Sequence, residues 1–237
     1  SQEDYRLIPL ELRINGPILS RILRIGLPAA IQTSVISFSN VFVQAYINEF
    51  QSSCMAGWTS YNRLDAFAWL PMLCLGMANT TFVGQNLGAG KLDRVKKGVN
   101  IGILIAMAGT AIIVVPLMCF SDTMLKLFNS DPEVLRYGRM FVLYMSPFYI
   151  PYCATQIYSG ALRGAGDSLS PMIVTIASFV VFRQLYLLIG TQFISSPLFV
   201  GLSYPAGWIV STITLFIIYR SGRWEKKLPA HVRMQAA

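Results

Sequence analysis

An all-α, polytopic membrane protein with six transmembrane helices and both termini cytoplasmic is the fold class this sequence predicts, and three observations predict it. Hydrophobic residues make up 54% of the 237 and charged residues only 13%, where a soluble domain carries about 25% charged; the mean hydropathy is +0.53. The apolar residues gather into six largely uncharged stretches of roughly 20 residues or more, the length that crosses a bilayer. Lys and Arg fall between those stretches. Fourteen of the 19 lie in the N-terminal segment, two glycine-rich hinges and the tail, against four towards the outside, Arg63, Lys126, Arg136 and Arg139. Short loops with such an excess stay on the cytoplasmic side.

The same distribution excludes several function classes. A net charge of +8 could suit a nucleic-acid binder, but the basic residues form no continuous basic face. Cys54, Cys74, Cys119 and Cys153 are scattered singly, without metal-ligand or redox spacing, and imply no disulfide framework. The one histidine, His231, lies in the tail, and no paired acids or Ser/His arrangement occurs in the spans, which disfavours an intramembrane enzyme. The chain opens on Ser1 with a polar, charged run that has no signal-peptide layout, so a preceding segment is expected.

Residues 1–26 read as a cytoplasmic or interfacial lead-in. Asn15-Gly16-Pro17 is a helix start with proline at the first helical position. Ile18, Ile22 and Ile25 then share one face while Arg21 and Arg24 share the other, as in a helix lying at the headgroups. The bundle occupies 27–220, with a first helix over 27–48. In that helix Thr33, Ser37, Asn40 and Gln44 recur at spacings of 4, 3 and 4 and make one polar stripe. Facing lipid it would leave donors and acceptors unsatisfied, so it serves interhelical hydrogen bonding or a substrate pathway.

The second helix is expected over 58–86, bent at Pro71 and Gly76, with Arg63 and Asp65 about two turns inside its outer end. Residues two apart on a helix do not face each other, so each ionisable group needs a partner elsewhere or a wet cavity. Gly84 to Gly98 is the first hinge, with four glycines and four basic residues, Lys91, Arg94, Lys96 and Lys97. The third helix, over 98–120, is almost wholly apolar and reads as scaffold. Asp131-Pro132-Glu133 starts the fourth, over 133–162. Pro147 and Pro151 should kink it, and Tyr149, Tyr152, Gln156 and Ser159 form a second polar and aromatic stripe there, serving as packing or as a cavity wall.

The second hinge, 162–168, is again glycine-rich and carries Arg163. A fifth helix over 169–193 carries Arg183 near mid-depth, and a sixth covers 198–219. Residues 221–237 form a basic cytoplasmic tail with Trp224 at the interface. Asp65 lies about seven residues from the outer end of its helix and Arg183 about ten, a depth difference of roughly 4 to 5 Å that an arginine side chain can close. A structural Asp65–Arg183 pair is therefore expected, with Asp65 as a coupling acid the competing reading.

The hinge Gly84-Gln85-Asn86-Leu87-Gly88-Ala89-Gly90-Lys91 with Arg94 and Lys97-Gly98, the run Gly160 to Ser168 followed by Pro171-Met172, Gly26-Leu27-Pro28, and the second-helix run from Met55-Ala56-Gly57 to Leu70-Pro71 together resemble the multidrug and toxic compound extrusion (MATE) family. The resemblance covers residues 26 to about 220. It implies one six-helix half, the C-terminal one, of a twelve-helix, two-lobed transporter in the plasma (inner) membrane. It also implies antiport that exports organic, often cationic, drug-like compounds in exchange for sodium ions or protons, with no cofactor beyond the coupling ion. The partners it implies are the lipid bilayer, small organic substrates, and a second six-helix half upstream in the same chain or in a paired chain. Ile36 and Tyr152 stand where some members carry coupling acids. A flippase for lipid-linked saccharides, or a non-transporting membrane subunit, are the alternatives, and the flippase would favour a groove lined with cationic residues, for which Arg63 and Arg183 are the candidates.

Overall fold

In the computed structural model residues 15–225 are described, and every regular element among them is helical. The expected lead-in before Asn15 and the tail beyond Glu225 lie outside the described residues. Among the described residues nine α-helices follow in order: α1 (Gly16–Asn48), α2 (Ser52–Gly88), α3 (Leu92–Cys119), α4 (Ser121–Lys126), α5 (Pro132–Met145), α6 (Tyr149–Gly164), α7 (Leu169–Ile176), α8 (Arg183–Gly190) and α9 (Pro197–Arg220). A 3₁₀ turn, Ser146–Phe148, joins α5 to α6, and a π-helical segment, Ala177–Phe182, joins α7 to α8.

Several boundaries differ from those expected, each for a local reason. The helix start at Asn15 is real: its side chain accepts from the Ile18 N–H at 3.3 Å, and proline follows in the first turn. No break then separates an interfacial piece from the first span. Gly16–Asn48 is one helix of 33 residues running through Pro28, about 50 Å long at 1.5 Å per residue, and so longer than a bilayer's hydrocarbon core. The second helix begins at Ser52 and not near residue 58, because Trp58 is a buried packing residue of its second turn, against the Phe141 ring at 4.9 Å. The third begins at Leu92, six residues early, and the short α4 was not anticipated.

The expected fourth helix is two. Pro147 sits in the 3₁₀ turn, where the helix breaks, while Pro151 lies in the first turn of α6, where its missing N–H would have had no partner. Five helical runs, Gly16–Asn48, Ser52–Gly88, Leu92–Cys119, Leu169–Gly190 and Pro197–Arg220, are each long and apolar enough to cross a membrane. The pieces of the fourth span, 14 and 16 residues, are each too short alone.

Both hinges close as the glycines predict. Gly90 and Gly166 have φ of 70° and 86°, and each terminates its helix with the same pair of bonds. Gly90 and Lys91 donate to the Leu87 and Asn86 carbonyls at 3.0 and 2.9 Å, and Gly166 and Asp167 donate to those of Arg163 and Leu162 at 2.9 and 2.8 Å.

Polarity is distributed as bilayer solvation requires. Ile112 is 73% exposed and Leu104 67%, while Asn79 and Thr155 are buried between helices. α2 and α6 form the axis of the bundle, with α3, α5 and α9 packed around them. Their backbones approach closely through glycine: a Cβ built at Gly160 would stand 2.4 Å from the Gly76 carbonyl oxygen, and one at Gly164 would stand 2.5 Å from that of Thr80. This is the small-residue packing that membrane helices use in place of a hydrophobic driving force. Asn79 reinforces it, donating to the Ile157 carbonyl at 2.8 Å.

Gly160→Ala should therefore cost roughly 1–3 kcal/mol through overpacking. At Gly109, which has open space around it, the same change should stabilise by up to about 1 kcal/mol through helix propensity. Thermal unfolding of the purified protein in detergent, expected to shift in opposite directions for the two variants, checks this.

Candidate functional site

Between α1, α2, α6 and the α7–α9 group lies a cavity of about 520 Å³. α1 brings Gln32, Thr33, Ile36, Ser37 and Asn40 to it. Three residues of the expected first stripe, Thr33, Ser37 and Asn40, thus share one wall and are exposed to it. Gln44 does not line it; its amide donates to Asn48 Oδ1 at 2.7 Å, one turn along the same helix. Ile36 and Tyr152 both line the cavity.

α6 supplies the second wall from Tyr152, Thr155, Gln156, Ser159 and Arg163, one helical face at spacings of 3, 1, 3 and 4. Gln156 donates to the Tyr152 hydroxyl at 3.2 Å. Tyr152 stacks on Trp69 of α2 with ring centroids 5.4 Å apart and lies 5.1 Å from Trp208 of α9, so polar and aromatic surfaces alternate. Tyr149 sits one turn away, fully buried behind the lining: its hydroxyl donates to the Asp65 carboxylate and contacts the Tyr61 hydroxyl, and its ring lies 5.1 Å from that of Trp208.

The expected Asp65–Arg183 pair does not form, although both residues line the cavity. The three ion pairs among the described residues join Lys96 to Glu225, Arg136 to Glu133 and Arg139 to Asp122. Arg183 instead donates from Nη2 to Ser39 Oγ at 2.7 Å and to Asn40 Oδ1 at 2.8 Å, with its guanidinium 4.6 Å from the centre of the Tyr204 ring. Depth alone could not decide this, because it says nothing of azimuth, and the π-helical segment sets the azimuth. Pro171, Thr175, Phe179, Arg183 and Leu187 are all buried at a strict spacing of four. In a straight α-helix each step of four overshoots a full turn by about 40°. The wider π turns take up that drift and keep Arg183 on the face that meets α1. The Phe179 carbonyl accepts from Ser39 Oγ at 3.0 Å, and Gln184 donates to the same hydroxyl at 2.9 Å.

Arg63 points elsewhere. It is exposed, with its guanidinium 5.6 Å from the Phe128 ring between α4 and α5, and does not line the cavity. Arg163, assigned from sequence to the second hinge alone, does: its Nη2 donates to Gln32 Oε1 at 3.3 Å. The signal was present, since 152, 156, 159 and 163 continue one stripe at 4, 3 and 4. Trp69, Ser39 and Tyr204 carried no such periodic mark. Among the described residues no cluster of His, Cys, Asp and Glu could hold a metal ion.

A helical membrane bundle with broken helices beside a polar, aromatic-walled cavity defines a transporter-type fold. The MatE family model matches residues 28–187, and the chain belongs to that family. It is 26% identical over 217 residues to the probable multidrug resistance protein YoeA of Bacillus subtilis (strain 168), covering 91% of this chain and 47% of the relative. To the probable multidrug resistance protein NorM of Thermotoga maritima it is 24% identical, covering 87% and 45%. A multidrug resistance MATE family transporter of the MOP superfamily, solved in an outward-facing conformation, superposes with a TM-score of 0.82 at 20% identity, over 93% of this chain and 50% of that one. The chain thus spans about half the length of the relatives it matches.

Because Asp65 and Arg183 have separate partners, the stability costs of Asp65→Asn and Arg183→Gln should add within about 0.5 kcal/mol. Thermal unfolding of both single variants and the double variant checks this; recovery of stability in the double variant would instead reveal a pair.

Proposed function

We propose that this chain supplies one half of a secondary active efflux transporter in the plasma membrane, which exports organic, often cationic, compounds in exchange for sodium ions or protons. The observation that carries the reading is the cavity. Its α1 wall presents Thr33, Ser37 and Asn40 on an exposed surface, and a polar stripe at membrane depth requires a facing protein or water. A second six-helix half across the cavity supplies that face, in the same chain or a paired one.

The orientation has its own support. Lys96 of the first hinge pairs with Glu225, just past α9, at 3.0 Å, so the basic hinge and the basic end of the last helix lie on one side. The excess of Lys and Arg makes that side cytoplasmic. Asp122, Glu133, Arg136 and Arg139 cluster around α4 and the start of α5, at the outer end.

For coupling we assign Asp65, the one acid among the residues that line the cavity. In one state its carboxylate accepts from Tyr149; a proton or sodium ion arriving on it would compete with that bond. Tyr149 begins α6 immediately after the 3₁₀ turn, so loss of the bond acts at a break in the fourth span. An ion can drive transport only by binding two states unequally. A bond that holds the carboxylate in one state and is released in the other supplies that inequality.

Two measurements on the complete transporter test this. Single cysteines at Thr33, Ser37 and Asn40 should react with a membrane-impermeant thiol reagent in at least one conformation, while one at the lipid-facing Ile112 stays unreactive; equal protection of all four would remove the pathway. In proteoliposomes, Asp65→Asn should fold yet lower the response of dye efflux to an imposed sodium or proton gradient by at least about tenfold, about 1.4 kcal/mol. An unchanged response would remove Asp65 from coupling.

A further inference from the structure

We infer that the cavity wall formed by this chain takes hold of its substrate by an acidic group, a carboxylate or a phosphate, at Arg163 and Arg183. This rests on the cavity being the transport pathway, and for this wall it replaces the cationic substrate class with molecules that carry an acidic group, zwitterions included.

Two guanidinium groups and one carboxylate, Asp65, line the cavity. Neither arginine forms an ion pair among the described residues. Arg183 is 2% exposed, yet its hydrogen-bond acceptors, Ser39 and Asn40, are neutral, and its Nε is buried without a partner. Arg163 donates to the neutral Gln32. A cation inside a membrane bundle is ordinarily matched by an anion or by several carbonyls, since neutral side-chain acceptors leave its charge uncompensated. Asp65, the nearest claim to that role by position, is engaged by Tyr149. The wall therefore carries positive charge for which it holds no paired anion.

The planar guanidinium is suited to such a partner, because its parallel N–H groups match the two oxygens of a carboxylate or phosphate. Arg163 is bonded beside Gln32 and Arg183 beside Asn40. Those positions are eight residues apart on α1, or roughly 12 Å along its axis. One acidic group thus meets the arginines in turn, as two stations along a single wall. Trp69, Tyr152 and Trp208 lie on the same cavity and offer ring faces to the apolar or cationic remainder of the molecule.

The test uses the purified complete transporter and two probes with the same ring and opposite charge, 1-pyrenebutyrate and 1-pyrenebutylamine, with energy transfer from protein tryptophan to pyrene as the readout. Pyrenebutyrate should bind at least tenfold more tightly. Arg163→Gln, which loses the hydrogen bond to Gln32, should weaken the acid tenfold or more and leave the amine unchanged or improved. Arg183→Gln should do the same, and Arg183→Lys, which keeps the charge, should keep part of the acid's affinity; loss of the acid with the amine unaffected is what a merely structural role at Ser39 and Asn40 would not produce. Tighter binding of the amine, or equal weakening of both probes by the arginine variants, would overturn the inference. Absence of binding by either probe would overturn the pathway reading itself. Competition separates the sources of the acid: phenyl phosphate displacing pyrenebutyrate marks a soluble substrate, and dihexanoyl phosphatidic acid alone displacing it marks a lipid one. Both support the acidic group, and displacement by neither overturns it.

Discussion

The close approach of α2 and α6 is the contact on which the rest of the bundle depends. Two helices can touch backbone to backbone only where neither carries a Cβ in the way, and Gly76, Gly160 and Gly164 clear that space. In a bilayer, lipid tails satisfy apolar side chains as well as protein does, so association must come from fit and from polar bonds. The glycine contacts supply the fit, and Asn79 bonding the Ile157 carbonyl supplies the bond. With α2 and α6 locked, Asp65, Trp69, Tyr152 and Arg163 stand at fixed positions around the cavity. α1 and the α7–α9 group complete its wall.

That rigid axis contrasts with the two interrupted spans beside it. The 3₁₀ turn at Ser146–Phe148 and the π segment at Ala177–Phe182 each disturb a hydrogen-bond ladder, and each ends one residue before a side chain bonded to a cavity residue, Tyr149 to Asp65 and Arg183 to Asn40. The irregular backbone is tolerated because partners inside the protein take up its polar groups, as Ser39 does for the Phe179 carbonyl. The breaks thereby aim side chains that an unbroken helix would turn away. They also separate the two charges. Asp65 answers to α6 through Tyr149, and Arg183 answers to α1 through Ser39 and Asn40.

Much of the fold was legible in the sequence for physical reasons that need no tertiary knowledge. The bilayer imposes a minimum apolar length, so the spans announced themselves in hydropathy. Helix termination at Gly90 and Gly166 needs positive φ, so the glycine-rich hinges announced themselves too. The polar stripes were visible because helical periodicity maps sequence onto one face: Thr33, Ser37 and Asn40 and the Tyr152, Gln156 and Ser159 series share one cavity. The same rule applied one turn further would have included Arg163.

Sequence alone could not decide between faces that differ only in rotation or in what lies opposite. Gln44 continues the α1 stripe but turns to Asn48, since a neighbour on its own helix satisfies it locally. Arg63 and Arg183 look alike as charges within spans, yet one lies over Phe128 between α4 and α5 and the other is buried against α1. The Asp65–Arg183 pair failed because equal depth is a one-dimensional property, while pairing requires matching azimuth, and the π segment and Tyr149 decide that. Span length and helix termination are set within the chain's own local stretch. Which charge meets which partner is set by the packing of helices distant in sequence, and only the tertiary structure fixes that.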